Sequence, residues 1–410
     1  MTRRRVFRSA ISFAALLVVY TPRLPAQSAR ASDTVALHVS DQSRSRLVRN
    51  ATQTIRLVGS APEHEFGDIR CLAALPNGGV VVFDAKDRDG PVLLVLGRDG
   101  KLIRRLGRAG SGPGEFSSSP VPGCLAISMR GTILMIDQGN GRVNRWSSDG
   151  KVLPAFVGYS PRGMQPFLIP GPDESVYIKI SLPPPSGQAE MRGPSFGFVR
   201  LDARGRVGDT VRMGASRLRT PHVRVLDPVD VVSPTPSGAV LVGTTDRLGF
   251  VLSPRFPAAP LGTLVDAPPI PFSAAERAFD EAMRKWTIQQ WGGSTQHPGY
   301  AEVKPAFYGV AFSVDGTIWL QQSATALREP KRALIGASKF KVPPPEQEYF
   351  EPPVFAVFTA KAVFVAEVHF PARLFPWNGS FGSDVAWVAE EENGLPVLSQ
   401  WTWKSTKAGH

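Results

Sequence analysis

Residues 68–116 read DIRCLAALPNGGVVVFDAKDRDGPVLLVLGRDGKLIRRLGRAGSGPGEF, and this stretch decides the fold. Four short apolar runs lie in it: Cys71–Leu75, Val80–Asp84, Val92–Leu96 and Leu102–Leu106. Pro76-Asn77-Gly78-Gly79, Lys86–Gly90 and Arg98-Asp99-Gly100-Lys101 separate them. Asn-Gly and Asp-Gly steps supply the positive φ angles that tight hairpins need. The expectation is a four-stranded antiparallel meander.

The following stretch repeats the first. Cys124-Leu125-Ala126-Ile127 stands 53 residues after Cys71-Leu72-Ala73-Ala74. Thr132–Asp137 then matches Val80–Asp84, Arg142–Trp146 is a third strand, and Ser148-Asp149-Gly150-Lys151 turns into Val152–Val157. A period near 50 residues lies in the propeller range. One such sheet buries neither face alone, so several must pack around an axis.

Two segments extend the argument to a family. Gly107–Phe116 (GRAGSGPGEF) resembles the connection between blades of NHL-repeat propellers. Asp137-Gln138-Gly139-Asn140-Gly141-Arg142-Val143 resembles the same family's Asp…Asn…Arg-apolar segment. The resemblance covers roughly Ile55 to Val157 and implies a six-bladed β-propeller. It implies no single activity, because that family holds protein- and RNA-binding modules and a few enzymes.

The rest of the chain is read in that frame. Thr54–Val58, followed by Gly59–Phe66 (GSAPEHEF), has the pattern of a fourth strand and its connection, before any first strand. It is expected to complete the last blade and close the ring, removing an exposed sheet edge. Blade one is Ile69–Leu106 and blade two Val121–Val157. Blade three has strands Pro166–Ile169, Val176–Ile180, Phe196–Leu201 and Val207–Met213, with a long Pro183–Pro194 loop. Blade four has Val229–Ser233, Ala239–Thr244, Phe250–Ser253 and Leu261–Val265. Blade five has Phe307–Ser313, Ile318–Gln322, Val354–Phe358 and Val363–Phe370, interrupted by a Ser323–Glu351 loop. Blade six has Arg373–Phe381, Asp384–Glu390 and Pro396–Trp403, with an Asn393-Gly394 hairpin.

One segment breaks the β pattern. Ser273-Ala274-Ala275-Glu276 is a capping box, and Phe279, Met283, Trp286 and Gln290 follow at helical spacing. The spacing predicts a helix over Ala274–Gln290, inserted between blades four and five. It could lie across one mouth of the channel, with Trp286, Trp291 and Tyr300 as ligand-binding residues. It could equally pack its apolar stripe on a neighbouring blade.

The domain plan is thus an all-β, six-bladed propeller of four-stranded antiparallel blades over 54–403, with a helical insertion at 273–291. A signal peptide (1–26), a flexible lead-in (27–53) and a tail (404–410) flank it. The signal rests on Arg3, Arg4, Arg5 and Arg8 before the apolar Ala10–Tyr20, with cleavage after Ala26 or at Ala29-Arg30-Ala31. The apolar run is shorter than the ~20 residues a membrane span needs. Arg4-Arg5-Val6-Phe7 leaves twin-arginine and general export both open. The expected location is periplasmic or extracellular, as a monomer. Cleavage after Ala26 removes five Arg and lowers the formal charge of +12 to +7. That excess is scattered, with no basic stripe of the kind nucleic-acid binding uses. The 39 Gly and 38 Pro fall between strand-like runs, as turns do.

Chemical signals are sparse. The two cysteines, Cys71 and Cys124, hold equivalent positions of adjacent first strands; they pair in a disulfide or stay as two small buried thiols. GSGPGEF lacks the GxxxxGK[ST] spacing of a phosphate loop. No HExxH or GxSxG occurs. Asp84 and Asp137 end equivalent second strands, where bonding to turn amides explains them better than a metal does. Calcium-dependent lactonase-type hydrolases also use six-bladed propellers, with a cation on carboxylates and amides around the axis. The candidates for that are Glu65, Asp68, Asp227, Asp230 and Asn378. The leading expectation is a non-catalytic binding or scaffold protein without cofactor, recognising a peptide, glycan, small molecule or protein at one face. The alternative is the calcium-dependent lactonase or esterase.

Overall fold

The computed structural model describes residues 35–59, 66–87, 89–117, 125–157, 167–182, 195–213, 225–254, 259–293, 299–332, 340–371, 379–392 and 395–403. The expected signal segment, Glu65, Cys124, the Pro183–Pro194 loop, Asn378, Asn393-Gly394 and the 404–410 tail lie outside them.

In chain order the elements begin with β1 (Val35–Val39), α1 (Asp41–Ser45), β2 (Val48–Asn50) and β3 (Thr52–Val58). Blade one follows as β4 (Ile69–Ala74), β5 (Val80–Asp84), β6 (Val92–Leu96) and β7 (Leu102–Leu106). Blade two is β8 (Leu125–Ile127), β9 (Ile133–Asp137), β10 (Arg142–Trp146) and β11 (Val152–Val157). Blade three is β12 (Leu168–Pro170), β13 (Val176–Leu182), β14 (Ser195–Leu201) and β15 (Val207–Arg212). Blade four is β16 (Asp230–Pro234), β17 (Val240–Thr244), β18 (Gly249–Ser253) and β19 (Leu261–Val265). After α2 (Ala274–Trp291), blade five opens with β20 (Phe307–Phe312) and β21 (Ile318–Gln322). A hairpin, β22 (Leu327–Arg332) and β23 (Gln347–Phe350), precedes its β24 (Val354–Phe358) and β25 (Phe364–His369). Blade six is β26 (Gly379–Phe381), β27 (Val385–Glu392) and β28 (Leu395–Thr402), completed by β3.

The fold is the expected six-bladed β-propeller, and β3 closes the ring antiparallel to β28, with Leu57 opposite Leu398. Burial follows position in the blade. Every residue of β5 is buried, whereas Leu102 and Ile103 of the outermost β7 are exposed. β9 of blade two is likewise buried throughout, because a neighbouring blade covers each face of these second strands. The seams are the core. Between blades one and two, Phe116 of the connection sits edge-on to Phe83 at 5.3 Å and 5.5 Å from Trp146. Between blades six and one, the Trp387 indole donates to the Gly78 carbonyl at 3.0 Å. Between blades five and six, Trp319 stacks on Phe381 at 4.7 Å.

The repeated acids hold the blades from within. Asp84 is fully buried, and its carboxylate accepts from the amides of Gly67 (2.7 Å), Asp68 (2.8 Å) and Lys86 (3.0 Å). Asp137 likewise accepts from Ser117 Oγ (2.6 Å) and from Asn140 Nδ2 (2.7 Å). Arg142 then donates to the carbonyls of Ser111, Gly112 and Glu115, and Asn140 to that of Gly110. The Asp…Asn…Arg segment thus grips the GSGPGEF connection. Donors of that connection are used internally: Gly112 N–H donates to the Glu115 carboxylate, and Phe116 N–H to the Arg108 carbonyl. Gly107 has φ +75°, and a Cβ there would stand 2.2 Å from the Phe116 ring.

Two expectations are corrected. The 27–53 stretch, read as a flexible lead-in, forms regular structure from Val35. β1 joins the outer edge of blade four parallel to β19, and β2 joins blade five parallel to β25. Polar contacts fix the segment: Arg44 Nε pairs with the buried Glu367 at 2.7 Å, and its Nη1 donates to the Asp266 carbonyl at 2.8 Å. VALHV is a short, mostly apolar run of strand length, but a parallel edge strand has no adjacent hairpin to announce it. The second correction concerns Ser323–Glu351, read as a loop; its ends pair as β22–β23, with Leu327 opposite Phe350. The charged REPKR run concealed that strand, since charge and Pro both lower strand propensity.

Candidate functional site

The first strands of all six blades surround a cavity of about 660 Å³ on the propeller axis. Ligand sites span roughly 300–1,000 Å³, so this volume admits a guest. Register explains the space. Ala73, Ala126, Ser233, Ala311 and Ser380 are paired with Val81, Leu134, Leu241, Trp319 and Trp387, which places five small residues at one level of the ring. All five line the cavity. Above and below that level the walls are apolar, from Leu72, Leu125 and Val232 to Phe312.

Polar groups are few. The Ser233 hydroxyl donates to the Pro234 carbonyl, and the Ser380 hydroxyl accepts from the Ala74 amide at 2.8 Å. Cys71 lines the cavity and is disulfide-bonded; Cys124, the only other cysteine of the sequence, lies outside the described residues. No Asp, Glu, His or Tyr is among the described residues lining the cavity.

Among the described residues its two charged lining groups are Arg70 and Lys179. Both belong to the end where the first strands begin. Arg70 falls at the register shift between Ile69 and Cys71, and such a bulge re-aims a side chain. Its guanidinium meets Asp68 at 2.5 Å. Lys179 is the one charged residue of the apolar run Val176–Ile180. Phe198 is its partner across β14, and its amide donates to the Phe167 carbonyl at 3.0 Å. Phe167 and Phe198 line the cavity with it. The Lys179 ammonium lies 5.3 Å from the Phe196 ring centroid and makes no ion pair among the described residues. Sequence reading missed both cations; a lone Lys inside an apolar second strand was the available signal.

The residues expected on the inserted helix fall elsewhere. The capping box at Ser273 and Glu276 is present, and α2 extends one residue beyond the expected end. Trp286, its buried residue, donates its indole N–H to the Val342 carbonyl at 2.8 Å. Trp286, Trp291 and Phe340 meet edge-to-face at 5.0–5.8 Å, and Trp291 is 64% exposed. Tyr300 is separate from that cluster. Its hydroxyl donates to Asp280 at 2.8 Å, and burial, then this hydrogen bond, push its pKa up. None of Trp286, Trp291 and Tyr300 lines the cavity.

The base of α2 is fastened by Lys304, whose side chain is fully buried. Its ammonium reaches Glu276 at 2.5 Å, Glu351 at 2.8 Å and the Ala324 carbonyl at 2.9 Å, satisfying all three donors. Tyr308 donates to Glu351 at 2.9 Å; burial, then the Glu351 charge, raise its pKa.

The candidate metal ligands are not gathered. Asp68 pairs with Arg70 and, at 3.8 Å, with Lys86. Asp227 and Asp230 stand before and at the start of β16, and neither lines the cavity. Glu65 and Asn378 lie outside the described residues. Among the described residues there is no group of three or more His, Cys, Asp or Glu able to hold a metal. No helix among them is long and apolar enough to cross a membrane.

The sequence matches no protein-family model and no curated protein. Solved structures are similar at a distance. A member of the DUF4221 family from Bacteroides vulgatus aligns at TM-score 0.45 and 9% identity, over 88% of this chain and 99% of its own. Catalytically inactive virginiamycin B lyase from Staphylococcus aureus, solved with quinupristin, aligns at TM-score 0.37 and 11% identity, over 86% and 99%. The calcium-binding protein regucalcin from Agrobacterium tumefaciens aligns at TM-score 0.36 and 11% identity, over 87% and 96%. Likeness this distant assigns no activity to the chain.

Proposed function

We propose that this chain is an exported binding propeller of NHL-repeat type that takes a small molecule into its central channel. The observation behind this reading is the 660 Å³ axial cavity with apolar walls and a small-residue ring. The described lining holds no carboxylate or imidazole for acid–base work, and its two hydroxyls are engaged with backbone groups. The calcium-dependent hydrolase gains little from the geometry, since Asp68 already faces Arg70.

Thermal unfolding with a neutral apolar probe, 1-octanol, tests the reading. A guest that binds only the folded protein raises its melting temperature saturably. Ala126→Phe, which fills the small-residue ring, is expected to abolish the rise while circular dichroism stays unchanged. A rise of equal size in both proteins would put binding outside the channel, and no saturable rise in the parent protein would overturn the reading.

A further inference from the structure

We propose that the channel selects a guest with an apolar body and one anionic head, a medium-chain carboxylate being the simplest example, and that Lys179 holds the head. This rests on the channel being the ligand site.

Charge complementarity supports it first. Among the described residues the charged groups lining the cavity are both cations, Arg70 and Lys179. Apolar walls around a charged mouth concentrate its potential, because low-dielectric surroundings screen it little. The two cations differ in availability. Arg70 is engaged by Asp68 at 2.5 Å, so its charge is largely answered within the protein. Lys179 has no carboxylate partner among the described residues and is only half exposed. A partly desolvated ammonium without a counter-ion is unfavourable in the empty protein, and an anionic guest relieves it.

Placement supports it second. Lys179 lies in one row with Phe167 and Phe198, on β13 between β12 and β14. The ammonium therefore emerges among aromatic rings that suit the first carbons of an apolar chain. The small residues Ala73, Ala126 and Ala311 lie further along the axis, toward the turn end of the first strands, where the chain has room.

The experiment is calorimetric titration with octanoate, 1-octanol and octylammonium, three probes with the same tail and different heads. The parent protein, Lys179→Met, Lys179→Arg and Ala126→Phe are compared, each checked for native circular dichroism. Octanoate is expected to bind about tenfold tighter than 1-octanol, with octylammonium weakest. Lys179→Met is expected to remove that advantage while leaving 1-octanol within about twofold, and Lys179→Arg to keep most of it. Equal affinity for octanoate and 1-octanol, both lost in Ala126→Phe, would overturn the anion assignment and leave the channel site standing. An octanoate advantage that survives Lys179→Met would overturn the role of Lys179. Binding that survives Ala126→Phe, or saturable binding by none of the probes, would overturn the channel site itself.

Discussion

Blades one and two close themselves, whereas blades four and five are closed by distant parts of the chain. In blade one the buried Asp84 ties the end of β5 to the amides that precede β4, and Asp137 does the same in blade two. Blade four has Thr245 near that position, which offers a single hydroxyl to the Val229 amide at 3.0 Å. Blade five has Ser323, which donates to the Pro305 carbonyl. What these blades lack locally arrives from elsewhere. β1 and β2 extend their outer edges, Arg44 reaches the buried Glu367, and Lys304 joins blade five to Glu276 of α2. Where the repeat keeps its carboxylate, a blade is nearly self-sufficient; where it loses the carboxylate, long-range contacts substitute.

The contrast can be broken most forcefully at Lys304. Lys304→Met leaves Glu276 and Glu351 facing each other without the shared cation, a loss of about 3–5 kcal/mol by the behaviour of buried ion pairs. Urea unfolding measures it, and a loss under ~1 kcal/mol would mean that the helix base contributes little to blade five. Next comes Asp84→Ala, which leaves three amides without their acceptor and is expected to cost about 3 kcal/mol. Thr245→Ala in blade four removes one such bond and is expected to cost about 1 kcal/mol. Equal losses at the two positions would erase the distinction between local and distant closure.

Arg44→Met is expected to be smaller and dependent on pH. Burial raises the Glu367 pKa, but hydrogen bonding from His369 and the charge of Arg44 outweigh it, and the net shift is downward. A carboxylate with a depressed folded pKa stabilises fully above its unfolded value, near ~4.3, and loses that contribution as pH falls through the folded value. The stability gap between Arg44→Met and the parent is therefore wide at neutral pH and narrows below the ordinary carboxylate range. A gap that stays constant down to about pH 2.5 would remove Glu367 from the explanation. The smallest effect is expected from calcium. After exhaustive EDTA treatment, millimolar Ca²⁺ should leave the melting temperature unchanged, and a clear reversible rise would reopen the hydrolase alternative.

The legible parts of the sequence were those with local chemistry. Asp-Gly turns, apolar runs of strand length and the capping box at Ser273 each depend on neighbours a few residues away. They placed the strands of all six blades and the helix. β3 was legible because a connection-like sequence followed it out of place. β1 and β2 were missed because their partners, β19 and β25, lie hundreds of residues downstream and parallel pairing needs no turn. The site was missed for a related reason. Arg70 and Lys179 lie in strands of different blades, more than a hundred residues apart, and only ring closure brings them to one cavity. The aromatic residues of α2 drew attention because they share a helix face, yet the helix packs beside β23 rather than in the channel lining.

The pairing of β3 with β28 sets an order on folding. Thr52 lies opposite Thr402, so β3 must wait for a partner strand made far downstream of it. β1 and β2 wait too, for blades four and five. Blades one to three can assemble from neighbouring sequence while the chain is still being made, but closure of so long a loop carries a large entropic cost before its contacts form. The ring therefore snaps shut late. Until then β1, β2 and β3 stay without their partners, the state in which such a protein is most exposed to aggregation.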